Sequence, residues 1–254
     1  MIDVVRILRE TFVARAEHHP TIDSTNNRAA QCAARGVKEL PLLIVADEQT
    51  AGRGRGANRW WTGRGALALS LLVDAETVAA ERNRSPLVAL AAAAAVGDVV
   101  APLLPAHKVG INWPNDVIAD GRKLAGILIE VLADRRHVIG IGLNTNNTLA
   151  DAPAELQSTA GTIRDLAGRT HDQTDILVDL LNRLQQAFAE LRGEPEKIAA
   201  RADALCLQRG RTLTLQWDDR RATGRCRGIA PDGALLLETP TGVEAFYSGT
   251  VASE

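Results

Sequence analysis

Four arginines, Arg53, Arg55, Arg59 and Arg64, lie between Ala51 and Val73 with no aspartate or glutamate among them. Three of them fall in the stretch QTAGRGRGANRWW, Gln49 to Trp61, interleaved with Gly52, Gly54 and Gly56 and followed by Trp60 and Trp61. A guanidinium offers planar, paired donors that match phosphate or carboxylate oxygens, and glycine lets backbone approach an anion closely or take a positive φ. The chemistry is anion binding. Such a loop repels itself, so it is expected to be mobile until an anion neutralises it and then to close as a lid. A solvated surface turn is the plain alternative. Two of the chain's four tryptophans sit here although only 3% of the residues are aromatic. That suits a ligand carrying a planar base beside its phosphate, or else tryptophans that anchor the loop to the core.

Two common phosphate motifs fail. The P-loop string G-x-x-x-x-G-K-[ST] is absent. Gly52, Gly54 and Ala57 satisfy G-x-G-x-x-G/A, but Arg59, Trp60, Trp61, Thr62 and Gly63 lead into a strand, whereas a dinucleotide fold needs the glycines to open a helix. The five histidines, His18, His19, His107, His137 and His171, have no metal-ligand spacing, and His18-His19 reads as a surface pair. Cys32, Cys206 and Cys226 are scattered, odd in number and without a C-x-x-C pair, which fits a reducing cytoplasm.

At 254 residues the chain is long enough for one large domain or a large one with a small companion. Hydrophobic residues make up 46% and charged ones 24%, close to globular averages. The net charge of −2 opposes a protein whose main business is gripping nucleic acid, so the arginines should hold something small and local. MIDVVRILRE lacks the apolar core of a secretory signal. The window Pro86 to Leu104 contains Asp98 and Pro102, is rich in alanine, and reads as a buried helix short of a membrane span.

These side chains need elements to position them. DSTNNRAAQCAARG reads as a helix with Asp23 or Ser24 as N-cap and Gly36 just past its end. LPLLIVADE reads as a buried strand, GALALSLLV, short, apolar and bounded by Gly65 and Asp74, as another strand, and Ser85-Pro86 as the N-cap and first residue of the alanine-rich helix. From Lys108 the period changes to two, with Val109, Ile111 and Trp113 alternating and Asp120-Gly121 turning one hairpin into KLAGILIEVL. ILIEVL and HVIGIGLN flank ADRR as another. Helices are predicted over Thr174–Arg192 and Pro195–Gln208. Beyond Gly210, RTLTLQW, RATGRCRGI, ALLLET and VEAFYSG are short strands expected to form a small β-barrel. The fold class is therefore α+β, a largely antiparallel mixed sheet with packed helices over residues 1–207 and a small barrel over 208–254.

The motifs together resemble the biotin protein ligases, enzymes that biotinylate acetyl-CoA carboxylase. DSTN at Asp23–Asn26, QTAGRGRG at Gln49–Gly56, WPND at Trp113–Asp116, GRKLAGIL at Gly121–Leu128, GIGLN at Gly140–Asn144 and GALLLE at Gly233–Glu238 carry the resemblance, and their order and spacing are specific where each alone is weak. The resemblance implies a class II synthetase-like sheet with an SH3-like C-terminal barrel. It implies that ATP and biotin, with Mg2+, give biotinyl-5′-AMP, and that biotin then passes to one lysine of a biotin carboxyl carrier protein. Lys123 and Arg53 would be the catalytic residues. Lys123 would contact both the biotin carboxylate and the α-phosphate, reducing the repulsion between two anions that must meet. Arg53 and Arg55 would cover the adenylate, with Gln49, Gly52 and Gly54 shaping the same wall. Ser24, Thr25 and Asn26 would hold the ureido ring, although helix capping alone also accounts for the serine. Trp60 would stack on adenine. Asn115 would touch the nucleotide and Asp116 its magnesium, the plain alternative being a turn after Pro114. Gly126, Gly140, Gly142 and Asn144 would line the biotin and nucleotide wall.

Relatives usually carry lysine before WPND, where this chain has Asn112, and asparagine where it has Ala66; the first departure removes a positive charge near the nucleotide, which Lys108 is not placed to replace. Some relatives have an N-terminal helix-turn-helix, but only about 20 residues precede DSTN, too few for that module, so no sequence-specific DNA binding is expected. A lipoate–protein ligase and a non-enzymatic nucleic-acid-binding protein are the rival readings. The chain is expected to be cytoplasmic, away from membranes, and a monomer or homodimer.

Overall fold

The computed structural model describes residues 2–78, 85–217 and 220–252. Seven strands form the first sheet: β1 (Arg15–Ile22), β2 (Leu42–Gln49), β3 (Leu67–Val73), β4 (Val109–Asn112), β5 (Asp116–Ala119), β6 (Arg122–Val131) and β7 (His137–Leu143). Their order is β1-β2-β3-β7-β6-β5-β4, with β1 parallel to β2 and every other pair antiparallel. Strands β3 and β7 are buried along their whole length, which is why GALALSLLV and HVIGIGLN read as continuous apolar runs.

Both faces are covered. A short helix α1 (Val4–Glu10) opens the chain, and α2 (Thr25–Ala34) packs on one face of the sheet over Leu42, Ile44, Leu72 and Val138. The neighbouring Leu43 and Val45 point the other way, as strand alternation requires. There they meet α3 (Ser85–Val100), α6 (Gln173–Gly193) and α7 (Pro195–Ala204), with two short helices, α4 (Ala154–Thr159) and α5 (Ile163–Ala167), between β7 and α6 in the chain. Ala91 to Ala95 of α3 are fully buried, small side chains that let helices and sheet approach closely. The window Pro86–Leu103 has a mean hydropathy of 1.9 and passes the length and composition test for a membrane span that the sequence reading denied it. Two thirds of it is buried between sheet and helices, and it serves as the core helix expected. Ile176, Leu177, Leu180, Leu181 and Leu184 of α6 are buried, as their helical spacing predicts. Leu181→Ala should cost about 2–5 kcal/mol of stability, read from a chemical denaturation midpoint.

Helix α7 was predicted to reach Gln208 but ends at Ala204. Strand β4 lies at the edge of the sheet, and its unpaired backbone groups capture the next residues. The Ile111 N–H donates to the Leu205 carbonyl (2.8 Å), and the Leu207 N–H donates to the Ile111 carbonyl (3.0 Å). Gly110 makes room for this, since a Cβ there would lie 2.7 Å from the Leu205 oxygen.

The second sheet has five antiparallel strands, β8 (Thr212–Trp217), β9 (Arg220–Ile229), β10 (Leu235–Thr239), β11 (Gly242–Phe246) and β12 (Thr250–Ala252), in the order β11-β10-β9-β8-β12. The barrel expected there is not closed: β11 and β12 are opposite edges and do not pair among the described residues. Only residues 247–249 separate these edges in the chain, a reach of roughly 14 Å, so the sheet is curled nearly round. Leu213, Leu215, Leu235 and Leu237 belong to the same hydrophobic core as the helices of the first unit. Trp113, almost fully buried, donates its indole N–H to the Gly233 carbonyl (3.0 Å) and ties the two sheets together.

Candidate active site

One cleft of about 1030 Å³ opens where the start of α2, the arginine loop, β5, β6, β7 and residues 248–251 of the second sheet converge. Ser24 is the N-cap of α2 by its extended backbone, yet its hydroxyl makes no capping bond and is left to line the cleft. Thr25 and Asn26, in the first turn, are buried and polar and must find partners. The Thr25 amide and hydroxyl both donate to Gln49 Oε1 (2.9 and 3.1 Å), and Gln49 Nε2 donates to the Thr62 hydroxyl (3.1 Å). Ser70 on β3 reaches Thr25 Oγ1 (2.8 Å) and Asn26 Oδ1 (2.6 Å), while Asn26 Nδ2 donates to Glu130 on β6 (2.7 Å). This end of the cleft is a prearranged set of donors and acceptors, suited to a small polar ring.

The arginine loop folds as a tight hairpin. Arg53 and Arg59 pair across it, Gly54 N–H donates to the Asn58 carbonyl (2.8 Å), and Trp60 N–H donates to the Gly52 carbonyl (3.1 Å). Its self-repulsion is met by carboxylates outside it, Glu130 against Arg53 and Glu48 near Arg64 (3.8 Å). Arg55 turns inward, donating to Asn115 Oδ1 (3.3 Å) and the Gly249 carbonyl (3.4 Å). Burial lowers the Arg55 pKa, Asp116 nearby opposing the shift, but a guanidinium stays charged throughout the working range.

Lys123 stands just after the Asp120-Gly121 turn, whose φ values of 45° and 80° make it the two-residue hairpin predicted. Its ammonium lies 2.7 Å from Asp116 Oδ2 and 5.9 Å from the centroid of Trp60. The other Asp116 oxygen, Oδ1, is buried with no hydrogen-bond partner. Burial pushes the Asp116 carboxyl above the ordinary aspartate range, with Lys123 and then Arg55 pulling it back. The Trp60 ring lies over Gly126 and Gly142, which pair on β6 and β7. A Cβ on Gly142 would sit 2.1 Å from the indole, and one on Gly140 2.2 Å from Asn26 Oδ1. These two glycines are therefore the floor on which Trp60 and Asn26 rest.

Residues 19–146 match the biotin/lipoate A/B protein ligase family, and residues 210–252 match the biotin protein ligase C terminal domain. The biotin–[acetyl-CoA-carboxylase] ligase of Mycobacterium tuberculosis is 34% identical over 218 residues, covering 85% of this chain and 80% of that one. The chain belongs to the biotin protein ligase family. The bifunctional ligase/repressor BirA of Bacillus subtilis is 31% identical over 245 residues, 92% of this chain and 72% of its own length. The fold of a biotin protein ligase from Aquifex aeolicus, solved in complex with biotin and ATP, superposes with a TM-score of 0.82 at 24% identity, covering 94% of this chain and 97% of that one.

In this family member the structure brings together Ser24, Thr25, Asn26, Gln49, Gly52, Arg53, Gly54, Arg55, Trp60, Asn115, Asp116, Lys123, Gly126, Gly140 and Gly142. Asn144 is the exception. It does not line the cleft; its carboxamide is buried and accepts from Asn147 Nδ2 (3.2 Å), because a chain reversing after β7 must satisfy its own polar groups. Asn115 faces the cleft and braces the turn after Pro114 by donating to the Ile127 carbonyl (2.8 Å). Asn112, where relatives usually carry lysine, also lines the cleft and pairs with Asp116 across β4 and β5. The sequence reading did not single out Ser70 or Glu130. Their signal was a polar residue inside an apolar strand, LALSLLV and ILIEVL; Ser70 is fully buried and Glu130 half-buried, and each needs a partner there.

Proposed function

We propose that this chain joins biotin to ATP, releases pyrophosphate, holds biotinyl-5′-AMP, and passes the biotinyl group to a lysine of a biotin carboxyl carrier domain in the cytoplasm. One observation carries the reading: a buried polar pocket at the start of α2, the Lys123 ammonium and the Trp60 face line a single cleft under an arginine hairpin. The polar pocket suits the ureido ring, with Thr25, Asn26 and Gln49 already oriented by Ser70, Thr62 and Glu130. The carboxylate end of biotin then points toward Lys123, where a fixed cation reduces its repulsion from the α-phosphate. The carboxylate oxygen attacks phosphorus and pyrophosphate leaves. In the second half-reaction the neutral amine of the carrier lysine attacks the acyl carbon, AMP leaves with the electron pair of the broken C–O bond, and the proton lost by the amine passes to solvent.

Among the described residues no group of three His, Cys, Asp or Glu could cage a metal, so a metal here must take most of its ligands from phosphate and water. The unpartnered Asp116 Oδ1 fits that need as the protein's one carboxylate ligand. Magnesium bound with the nucleotide would neutralise phosphate charge.

The deciding experiment incubates the protein with ATP, magnesium, biotin and a carrier domain and weighs the carrier. A mass gain of one biotinyl group is expected; adenylation of lipoate in place of biotin, or of neither, would overturn the reading. Arg55→Gly removes the contact that ties the hairpin to Asn115 and Gly249. Biotinyl-AMP should then appear in the free fraction after gel filtration, whereas the unaltered protein should elute with it bound.

A further inference from the structure

Glu130 takes no part in the reaction beyond orienting Asn26, yet it is the point where two halves of the site meet. One of its oxygens, Oε2, accepts both from Asn26 Nδ2 in the ring pocket (2.7 Å) and from the Arg53 guanidinium in the hairpin. Asn26 is fixed from its other side by Ser70, and its carboxamide fills the space left by Gly140, so it cannot shift without moving its partners. Arg53 is about two-fifths exposed and is held among the described residues by this carboxylate and by its pairing with Arg59. Among the described residues no other carboxylate is hydrogen-bonded to both segments; Asp23, bonded to Asn27, acts on Arg53 only through its charge.

We infer that Glu130 is a positioning residue that couples occupancy of the ring pocket to the posture of the arginine hairpin, by holding Asn26 and Arg53 on one carboxylate oxygen. This deepens the proposed function and rests on it for the identity of the ring. A ligand that polarises Asn26 alters how strongly Asn26 competes for that oxygen, and so alters the hold on Arg53. The coupling is modest because the Arg53–Glu130 pair is partly solvated.

Two substitutions separate the two contacts. Glu130→Gln keeps a carbonyl oxygen for Asn26 but removes the charge that attracts Arg53. Glu130→Ala removes both. The hairpin is rich in arginine, so trypsin reports its posture without any assay of activity: cleavage after Arg53, Arg55 and Arg59, followed by mass spectrometry, should be about two- to fivefold faster in Glu130→Gln at unchanged melting temperature. Biotin should slow that cleavage in the unaltered protein and do so less in Glu130→Gln. In adenylation, Glu130→Gln should leave the KM for biotin within about twofold while releasing more biotinyl-AMP, and Glu130→Ala should raise that KM by about tenfold by orphaning a buried amide. Unchanged cleavage in both variants overturns the coupling even if biotin is activated normally. Faster cleavage in a protein that adenylates no biotin would uphold the hold on Arg53 and overturn the ligand reading alone.

Discussion

Lys123→Ala is expected to lower biotinyl-adenylate formation by roughly 10²–10³-fold, measured by biotin-dependent ATP–pyrophosphate exchange. The side chain is 37% exposed, so folding should survive its removal. Two effects combine in the loss. The first is the missing ammonium between carboxylate and α-phosphate, which no neighbour replaces, because Arg55 is engaged with Asn115 and Gly249 and position 112 is an uncharged asparagine. The second is indirect. Lys123 is the main group lowering an Asp116 carboxyl that burial already pushes up, so without it Asp116 takes a proton at still higher pH. The ionised carboxylate is the form able to ligate a metal, hence raising the pH should restore the second share of the loss and leave the first. A variant that recovers fully at alkaline pH, or that loses less than about tenfold at any pH, would remove Lys123 from the chemistry.

Gly140→Ala and Gly142→Ala should injure different substrates although the two positions are neighbours on one face of β7. The methyl group at 140 would collide with Asn26, breaking its bonds to Ser70 and Glu130, and a displaced buried amide costs about 1–3 kcal/mol. The KM for biotin should rise by roughly 5- to 150-fold with the KM for ATP little changed. The methyl group at 142 would collide with the Trp60 indole. Loss of a stacking face is worth a similar amount, so there the KM for ATP should rise by about 5- to 150-fold. Steady-state kinetics with each substrate varied in turn checks the pair, and equal effects on both substrates from both variants would refute the division of the cleft at Trp60.

Much of this arrangement was legible in the chain. The apolar strands β3 and β7, the amphipathic stripe of α6 and the Asp120-Gly121 turn announce themselves through local pattern, because each is decided by neighbours within a few residues. Strand β1, with the polar sequence RAEHHPTI, gives no such pattern, since it lies at the sheet edge with neither face fully buried. The last turn of α7 was misread because the backbone of β4 competes for it, a partner some 95 residues away and invisible to periodicity. The short helices at Ala154–Thr159 and Ile163–Ala167 depend on packing, as so few residues cannot sustain a helix alone. In the site, Lys123 and the arginines stood out by charge and context. Ser70 and Glu130 did not, because a hydroxyl or carboxylate in an apolar strand acquires meaning only when its distant partner is in place.

The shared core and the Trp113–Gly233 tie bear on how molecules come and go. Residues 248–251, which wall the cleft, hang from a sheet that cannot swing outward without breaking the Trp113–Gly233 hydrogen bond and exposing Leu213, Leu215, Leu235 and Leu237 to water. Among the described residues the arginine hairpin is the wall of the cleft held by a few polar contacts rather than by the shared core, so ligands are expected to enter and leave there while the frame stays still.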